Sequence, residues 1–295
     1  MNWQISGQIL VQGLKGIEVI SYITQMLEQG AKIVAGIDPS QEQDTIEAIP
    51  IFALVEEAIA EVGEISTSLI FVHPYKVLDA ATEAIVSGIK QLIIFSQGVP
   101  PLDMIRLLRI AKEHDTLILG SGSGGILIPG ELSLGIWSTE FYQPGRIGIL
   151  TDSPNLSYEV ALALQKEGLG ESIVISIGQD AILGTNFEFW LEFLHEHEKT
   201  EEIALITRWE RIELELINYI KKELNKPVII YGYDLQKKGH TYLSNIVNIM
   251  ANQLFSGLAI QELETTVKDL LTESDILLVN NPSQIRDLLK CHKAV

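Results

Sequence analysis

Gln8-Ile9-Leu10-Val11-Gln12-Gly13-Leu14-Lys15-Gly16, then a helical segment, then Gly30-Ala31-Lys32-Ile33-Val34-Ala35-Gly36: this stretch decides the fold class. Residues 8–11 form a short apolar strand that runs into glycines. From about Glu18 to Gln29, Val19, Tyr22, Ile23 and Met26 recur at the three- and four-residue spacing of one helix face. Gly30 ends that helix, and residues 31–36 read as the next buried strand. A parallel strand can follow only after a crossover has carried the chain back, so strand, turn, helix and strand form the repeating unit of a parallel sheet.

The unit recurs outward from there. Residues 55–62, 78–87 and 102–114 have helical spacing, while 68–72, 91–95 and 117–119 are all-apolar strand runs. Strands without polar alternation belong to a sheet covered on both faces. The expected fold is therefore α/β, with a Rossmann-like domain over residues 1–125. Turn signals at Pro129-Gly130 and Tyr142-Gln143-Pro144-Gly145 place a linker at 126–144. A second cycle over 145–295 predicts a flavodoxin-like domain. Its strands are expected at 146–150, 172–177, 203–207, 228–231 and 276–279, and its helices at 156–168, 186–195, 210–224, from about Tyr242, and near 263–271.

With 295 residues, 46% hydrophobic and 20% charged, the chain has globular composition and length for two domains. It carries 39 acidic against 21 basic residues, a net charge of −18, which repels nucleic-acid backbones and anionic lipid. No run approaches the ~18 apolar residues of a membrane span, and no signal peptide is expected ahead of the first strand. The single cysteine, Cys291, excludes an internal disulfide and fits a cytoplasmic protein. Neither nucleic acid nor membrane is an expected partner.

Ligands of such folds sit beyond the carboxyl ends of strands, where a loop enters a helix. The Gln12 to Gly16 loop is read as a ligand loop, with Lys15 adding charge, although the full G-x-G-x-x-G pattern is absent. Asp38 reads as an ordinary loop residue. Gly120-Ser121-Gly122-Ser123-Gly124-Gly125 fits either close backbone approach or a flexible connection between domains. In Thr151-Asp152-Ser153-Pro154-Asn155-Leu156-Ser157-Tyr158-Glu159, Ser153 is a helix cap and Pro154 suits the first helical position. The helix is suited to a phosphate or is simply well capped. His240 in Lys237-Lys238-Gly239-His240 becomes a nucleophile only with an orienting carboxylate and a phosphate cradle. His195-Glu196-His197-Glu198 reads as a solvated helix end, and no G-x-S-x-G elbow is present.

In order along the chain, these loops resemble the alpha subunit of succinyl-CoA synthetase. The similarity runs from about Val11 beyond His240. It includes Gly98-Val99-Pro100, Ile128-Pro129-Gly130-Glu131, Leu156-Ser157-Tyr158-Glu159, Gly178-Gln179-Asp180, Gly184-Thr185-Asn186-Phe187 and Gly239-His240. The resemblance implies a CoA-binding domain followed by a ligase domain. It implies CoA contacts at Lys15, Gly16, Ile17, Glu18, Gln41, Phe95, Ser96 and Gln97. It also implies a phosphate or acid site at Ser153, Asn155 and Tyr158, and a phosphoryl carrier at His240. A beta-like subunit would hold the nucleotide and Mg, and a small carboxylic acid would be the substrate.

The departures bear on activity. The family's Ser-Arg-Ser-Gly-Thr helix start is Thr151-Asp152-Ser153-Pro154-Asn155 here, so an arginine becomes Asp152 and Pro154 removes a backbone N–H. At ~5 Å and an effective dielectric of about 20, Asp152 is expected to repel a bound phosphate by roughly 3 kcal/mol. The family carboxylate that holds the histidine aligns with Arg208, and Glu210 can replace it only if the strand continues. Gln41 and Gln97 stand where the family has a lysine and an acid. The expected function is an acid–CoA ligase component. The alternative is a catalytically impaired paralogue kept for CoA binding, subunit assembly or regulation. A nicotinamide oxidoreductase on Gly13, Gly16 and Asp38 is a third reading.

Overall fold

A computed structural model describes residues 3–40, 45–233 and the strand at 277–279. Gln41, His240 and the helices expected from Tyr242 onwards lie outside the described residues.

The first sheet contains β1 (Ile9–Gln12), β2 (Ile33–Ile37), β3 (Thr45–Ile46), β4 (Ile49–Phe52), β5 (Thr67–Ile70), β6 (Gln91–Ile94) and β7 (Leu117–Leu119). Their order is β3-β4-β2-β1-β5-β6-β7, and only the β3–β4 pair is antiparallel. The winding reverses at β1, which opens a crevice beyond the carboxyl ends of β1 and β5. Successive strand residues face opposite ways. Leu10 packs with α2 (Val55–Val62), α3 (Val77–Val86) and α4 (Pro101–Glu113), and Val11 with Ile23 and Met26 of α1 (Ile17–Glu28).

Gly13 sits where this winding leaves no room. Its φ is +92°, and an added Cβ would stand 2.7 Å from the Val72 amide nitrogen. Gly16 has φ +118° but open space around it. Gly13→Ala should therefore destabilise by about 3 kcal/mol and Gly16→Ala by only about 1 kcal/mol, the cost of backbone strain alone. Urea denaturation of both variants checks the difference; equal losses would contradict the close approach.

The second sheet contains β8 (Gly125–Ile128), β9 (Leu132–Gly135), β10 (Pro144–Thr151), β11 (Glu171–Ser176), β12 (Glu202–Arg208), β13 (Val228–Tyr233) and β14 (Leu277–Val279). It runs β14-β13-β12-β10-β11-β8-β9. The strands β10 to β14 are parallel in the flavodoxin-like order, with the winding reversal between β10 and β12. Helix α5 (Pro154–Gln165) covers one face; α6 (Phe187–Glu196) and α7 (Leu214–Glu223) cover the other.

The segment 126–144, expected as a linker, contributes β8 and β9 to this sheet, where they pair antiparallel. Pro129-Gly130 is the turn of that hairpin. The hairpin also docks on the first domain: the Ser133 amide donates to the Gln29 carbonyl at 3.2 Å. One apolar cluster continues from the α1 face of the first sheet to the α6 and α7 face of the second, with Trp3 and Trp190 ring centroids 5.2 Å apart. Among the described residues no helix is long and apolar enough to cross a membrane.

The Gly120 to Gly125 loop is a packed joint. The Gly122 and Ser123 amides donate to the Ser96 and Ile94 carbonyls at 2.9 and 3.1 Å. Ser121 and Ser123 are buried. A Cβ on Gly120 would lie 2.4 Å from the Ile94 oxygen, and one on Gly124 2.9 Å from Pro154 Cγ. The glycines are there because backbone and neighbours approach too closely for side chains.

Candidate functional site

At the first crevice, α1 starts at Gly16 with no side chain capping its free amides. Lys15, Gly16 and Glu18 are exposed, and Ile17 is 89% exposed. An uncapped helix start with glycine in open space suits an anion. The Lys15 ammonium donates to Ser40 Oγ at 2.9 Å and lies 3.5 Å from Asp38 Oδ2. The Asp38 carboxylate also accepts from the Ser40 amide at 3.1 Å and hydroxyl at 2.7 Å. Burial pushes Asp38 up, but these hydrogen bonds and Lys15 hold it below the usual carboxylate range. Asp38 thus acts as the acceptor of its own turn.

Phe95, at the end of β6, stacks on Phe71 with ring centroids 4.2 Å apart. The Ser96 hydroxyl donates to the Val72 carbonyl. The Gln97 amide instead reaches the second domain, donating to Gln179 Oε1 at 3.3 Å. Next to it, Asp180 takes the start of α4: its carboxylate accepts from the Gly98 amide at 3.0 Å, the Val99 amide at 3.2 Å and Ser121 Oγ at 2.6 Å. That anion position is filled by the protein itself. Nothing local marks Asp180 as a tether, because the partners of its carboxylate lie 59 or more residues away.

At the second crevice, Asp152 follows the last paired residue of β10, and its side chain is fully buried. Thr207 Oγ1 donates to it at 2.9 Å and Tyr233 OH at 2.8 Å. Arg208 Nε and Arg211 Nη1 stand 3.6 and 3.5 Å from Asp152 Oδ2. Burial and the Asp152 charge push the Tyr233 phenol well up, so it stays protonated and donates. Two guanidiniums against one carboxylate leave the cluster net positive. Asp152, expected as a charge that repels a phosphate, is thus paired inside the protein with both arginines, Thr207 and Tyr233.

Arg208 also donates to the Gln179 carbonyl at 3.2 Å, and Arg211 donates to the carbonyls of Gly178, Gln179 and Asp180 at 3.1, 3.1 and 2.7 Å. The Gly178 to Asp180 loop is thus held by both arginines. Glu210 does not replace the family carboxylate, because β12 ends at Arg208 and Trp209–Arg211 turn into a 3-10 helix with Glu210 exposed. Ser153 holds the cap position of α5, yet its side chain makes no cap hydrogen bond; its amide donates to Thr151 Oγ1 at 2.9 Å. Asn155 is exposed on the first turn. Tyr158 OH accepts from the Ser138 amide at 3.3 Å. His197 pairs with Thr200 Oγ1 at 2.8 Å and belongs to the packing of the α6 end.

Between the crevices lies a cavity of about 580 Å³, bounded by Tyr22 and Gln25 of α1, Pro154 and Asn155 of α5, and Gln179. It brings Asn155 and Tyr158 together with the exposed flank of α1. Trp137 also lines it, a residue that local pattern does not single out because it sits in a turn-rich segment.

Residues 5–98 match the CoA binding domain family. The ADP-forming succinate–CoA ligase subunit alpha 2 of Archaeoglobus fulgidus is 33% identical over 224 residues, covering 76% of this chain and 78% of that protein. The chain belongs to the succinate–CoA ligase alpha-subunit family. The corresponding subunit alpha of Aquifex aeolicus is 34% identical over 227 residues, covering 76% of this chain and 74% of its own. Among solved structures, an ATP citrate lyase from Methanothrix soehngenii with citrate and coenzyme A superposes with a TM-score of 0.72 at 16% identity, over 99% of this chain and 51% of that one. A dinucleotide forming acetyl-coenzyme A synthetase 1 from Ca. Korarchaeum cryptofilum gives 0.68 at 19% identity, over 93% and 58%. These two share the fold, and the chain spans little more than half of their length. Its succinate–CoA ligase alpha-type architecture is a Rossmann-like domain joined to a flavodoxin-like one.

Proposed function

We propose that the chain is the alpha component of an acid–CoA ligase that works with a beta-like subunit. The observation that carries this is the 33% identity to a ligase alpha subunit across 224 residues. The uncapped start of α1, within the CoA binding domain match, supports CoA as ligand. Gly16 and Ile17 would meet a diphosphate, with Lys15 adding charge in part offset by Asp38. Phe95 and Ser96 border the same crevice, and Gln41 is assigned there from the sequence.

In the direction of acyl-CoA formation, His240 takes a phosphoryl group from a nucleoside triphosphate held with Mg by the beta chain. It passes that group to the carboxylate of the acid, and the CoA thiol then displaces phosphate from the acyl phosphate. The net positive Asp152, Arg208 and Arg211 cluster, with the Ser153 hydroxyl unused in capping, supports a phosphate near the start of α5. Arg208, occupied by Asp152 and Gln179 where the family has an orienting carboxylate, favours a second reading. In that reading the chain keeps CoA or the beta chain but does not turn over, and serves assembly or regulation.

Incubating the chain and its beta-like partner with γ-labelled nucleotide should place an acid-labile phosphate on the chain, lost in His240→Ala. CoA titration should show binding that weakens about three- to tenfold in Lys15→Ala, the worth of one charged phosphate contact. CoA binding without label selects the second reading. No CoA binding and no association with the beta-like subunit remove both.

A further inference from the structure

Two exposed glutamines meet where the domains join. Gln97 follows β6, which lies beside β5 in the first sheet, and Gln179 follows β11 in the second. The Gln97 carboxamide donates to Gln179 Oε1 at 3.3 Å. A Cβ on Gly122 would stand 3.4 Å from Gln97 Cγ and 3.3 Å from the Gln179 amide nitrogen, so the joint loop packs against both residues. Gln179 also lines the cavity of about 580 Å³, together with Pro154 and Asn155 of α5. It thus reaches from a side chain of the first crevice to the first turn of α5.

Neither the loop nor the joint depends on this side chain. The Gln179 carbonyl accepts from Arg208 at 3.2 Å and from Arg211 at 3.1 Å, and Arg211 also takes the carbonyls of Gly178 and Asp180. Across the joint, the charged Asp180 carboxylate accepts from Gly98, Val99 and Ser121 at 3.0, 3.2 and 2.6 Å. An exposed pair of neutral amides adds little to those ties. A ligand amide can therefore replace the pair at little cost.

CoA carries such a group. Between its diphosphate and its sulfur runs an uncharged pantetheine arm with two amides, and the thiol has to travel from the first crevice to the start of α5. We propose that Gln179 is a CoA-binding residue supplied by the second domain, its carboxamide pairing with an amide of the pantetheine arm in place of the bridge to Gln97. The proposal rests on the acid–CoA ligase reading. A carboxamide both donates and accepts, which matches an amide without bringing a charge against a neutral chain. The arginines that pin the Gln179 backbone also hold Asp152, just ahead of α5, so the arm would be held in register with that helix start.

The test uses the full chain with its beta-like partner and two probes, CoA and 3′-phospho-ADP, which ends at the diphosphate and has no arm. Both are titrated calorimetrically against the wild type and Gln179→Met. CoA should bind about three- to tenfold more weakly to the variant, the worth of one neutral hydrogen bond, while 3′-phospho-ADP binds both proteins equally. Gln179 is exposed, so folding of the variant is not at stake, and its affinity for 3′-phospho-ADP reports an intact first domain. Unchanged CoA affinity would show that Gln179 only ties the domains and overturns the proposal. Equal weakening of both probes overturns it as well, because the residue would then act through the fold. A wild-type chain that binds neither probe overturns it together with the CoA reading beneath it.

Discussion

Asp152→Asn should cost about 3–5 kcal/mol of folding stability, the range for removing one partner of a buried ion pair. The carboxylate is fully buried, whereas Arg208 and Arg211 keep only 22% and 15% of their side chains exposed. With asparagine at 152 the two guanidiniums lose the carboxylate between them, and its single amide oxygen leaves only one of Thr207 and Tyr233 with an acceptor. Arg208→Gln should cost less, because Arg211 still faces the carboxylate. The double variant should be more stable than the sum of the single losses predicts, by at least about 1 kcal/mol. Urea denaturation of the four proteins at pH 7 measures this. A loss under about 1 kcal/mol for Asp152→Asn would show that the cluster is not structural.

The second large effect concerns pH. Burial raises the Glu171 carboxyl from its ordinary value of 4.5 to about 8. One of its oxygens accepts from the Gln143 amide at 3.1 Å, and the other is buried without a partner. Below pH 4.5 the folded and unfolded chains both keep this proton, and the group takes nothing from stability. As pH rises towards 8 the unfolded chain releases the proton while the folded chain retains it, so stability falls across that window. Glu171→Gln has no proton to release. It should exceed the wild type in stability by a margin that grows from pH 5 to pH 8, reaching on the order of 3 kcal/mol. Urea midpoints at pH 5, 6.5 and 8 follow the margin, and a constant difference would sink the assignment.

Much of the fold was legible because its helices and strands are regular apolar units. The helix expected over residues 55–62 and the strand over 117–119 appear with those bounds. β4 escaped notice because it is four residues long and contains Pro50, which fits a strand only near an edge. β8 and β9 were hidden by the glycines and prolines that make their turns. The site was less legible, for a different reason. Asp152 and Arg208 each looked like a damaging charge change, and they stand 56 residues apart. Only the pairing of Thr151 with Ile206 in the β10–β12 register brings them to one point, where each satisfies the other. Local pattern carries no such information.

The joint between the two sheets has a bearing on how such genes can be rearranged. Glycine-rich connections are natural places for recombination to exchange one module for another. Here the exchange would have to bring along Asp180 as acceptor for Gly98 and Val99, and a partner lobe whose residues clear Gly120 and Gly124. The halves are fitted to each other, and inheritance should have carried them as one piece.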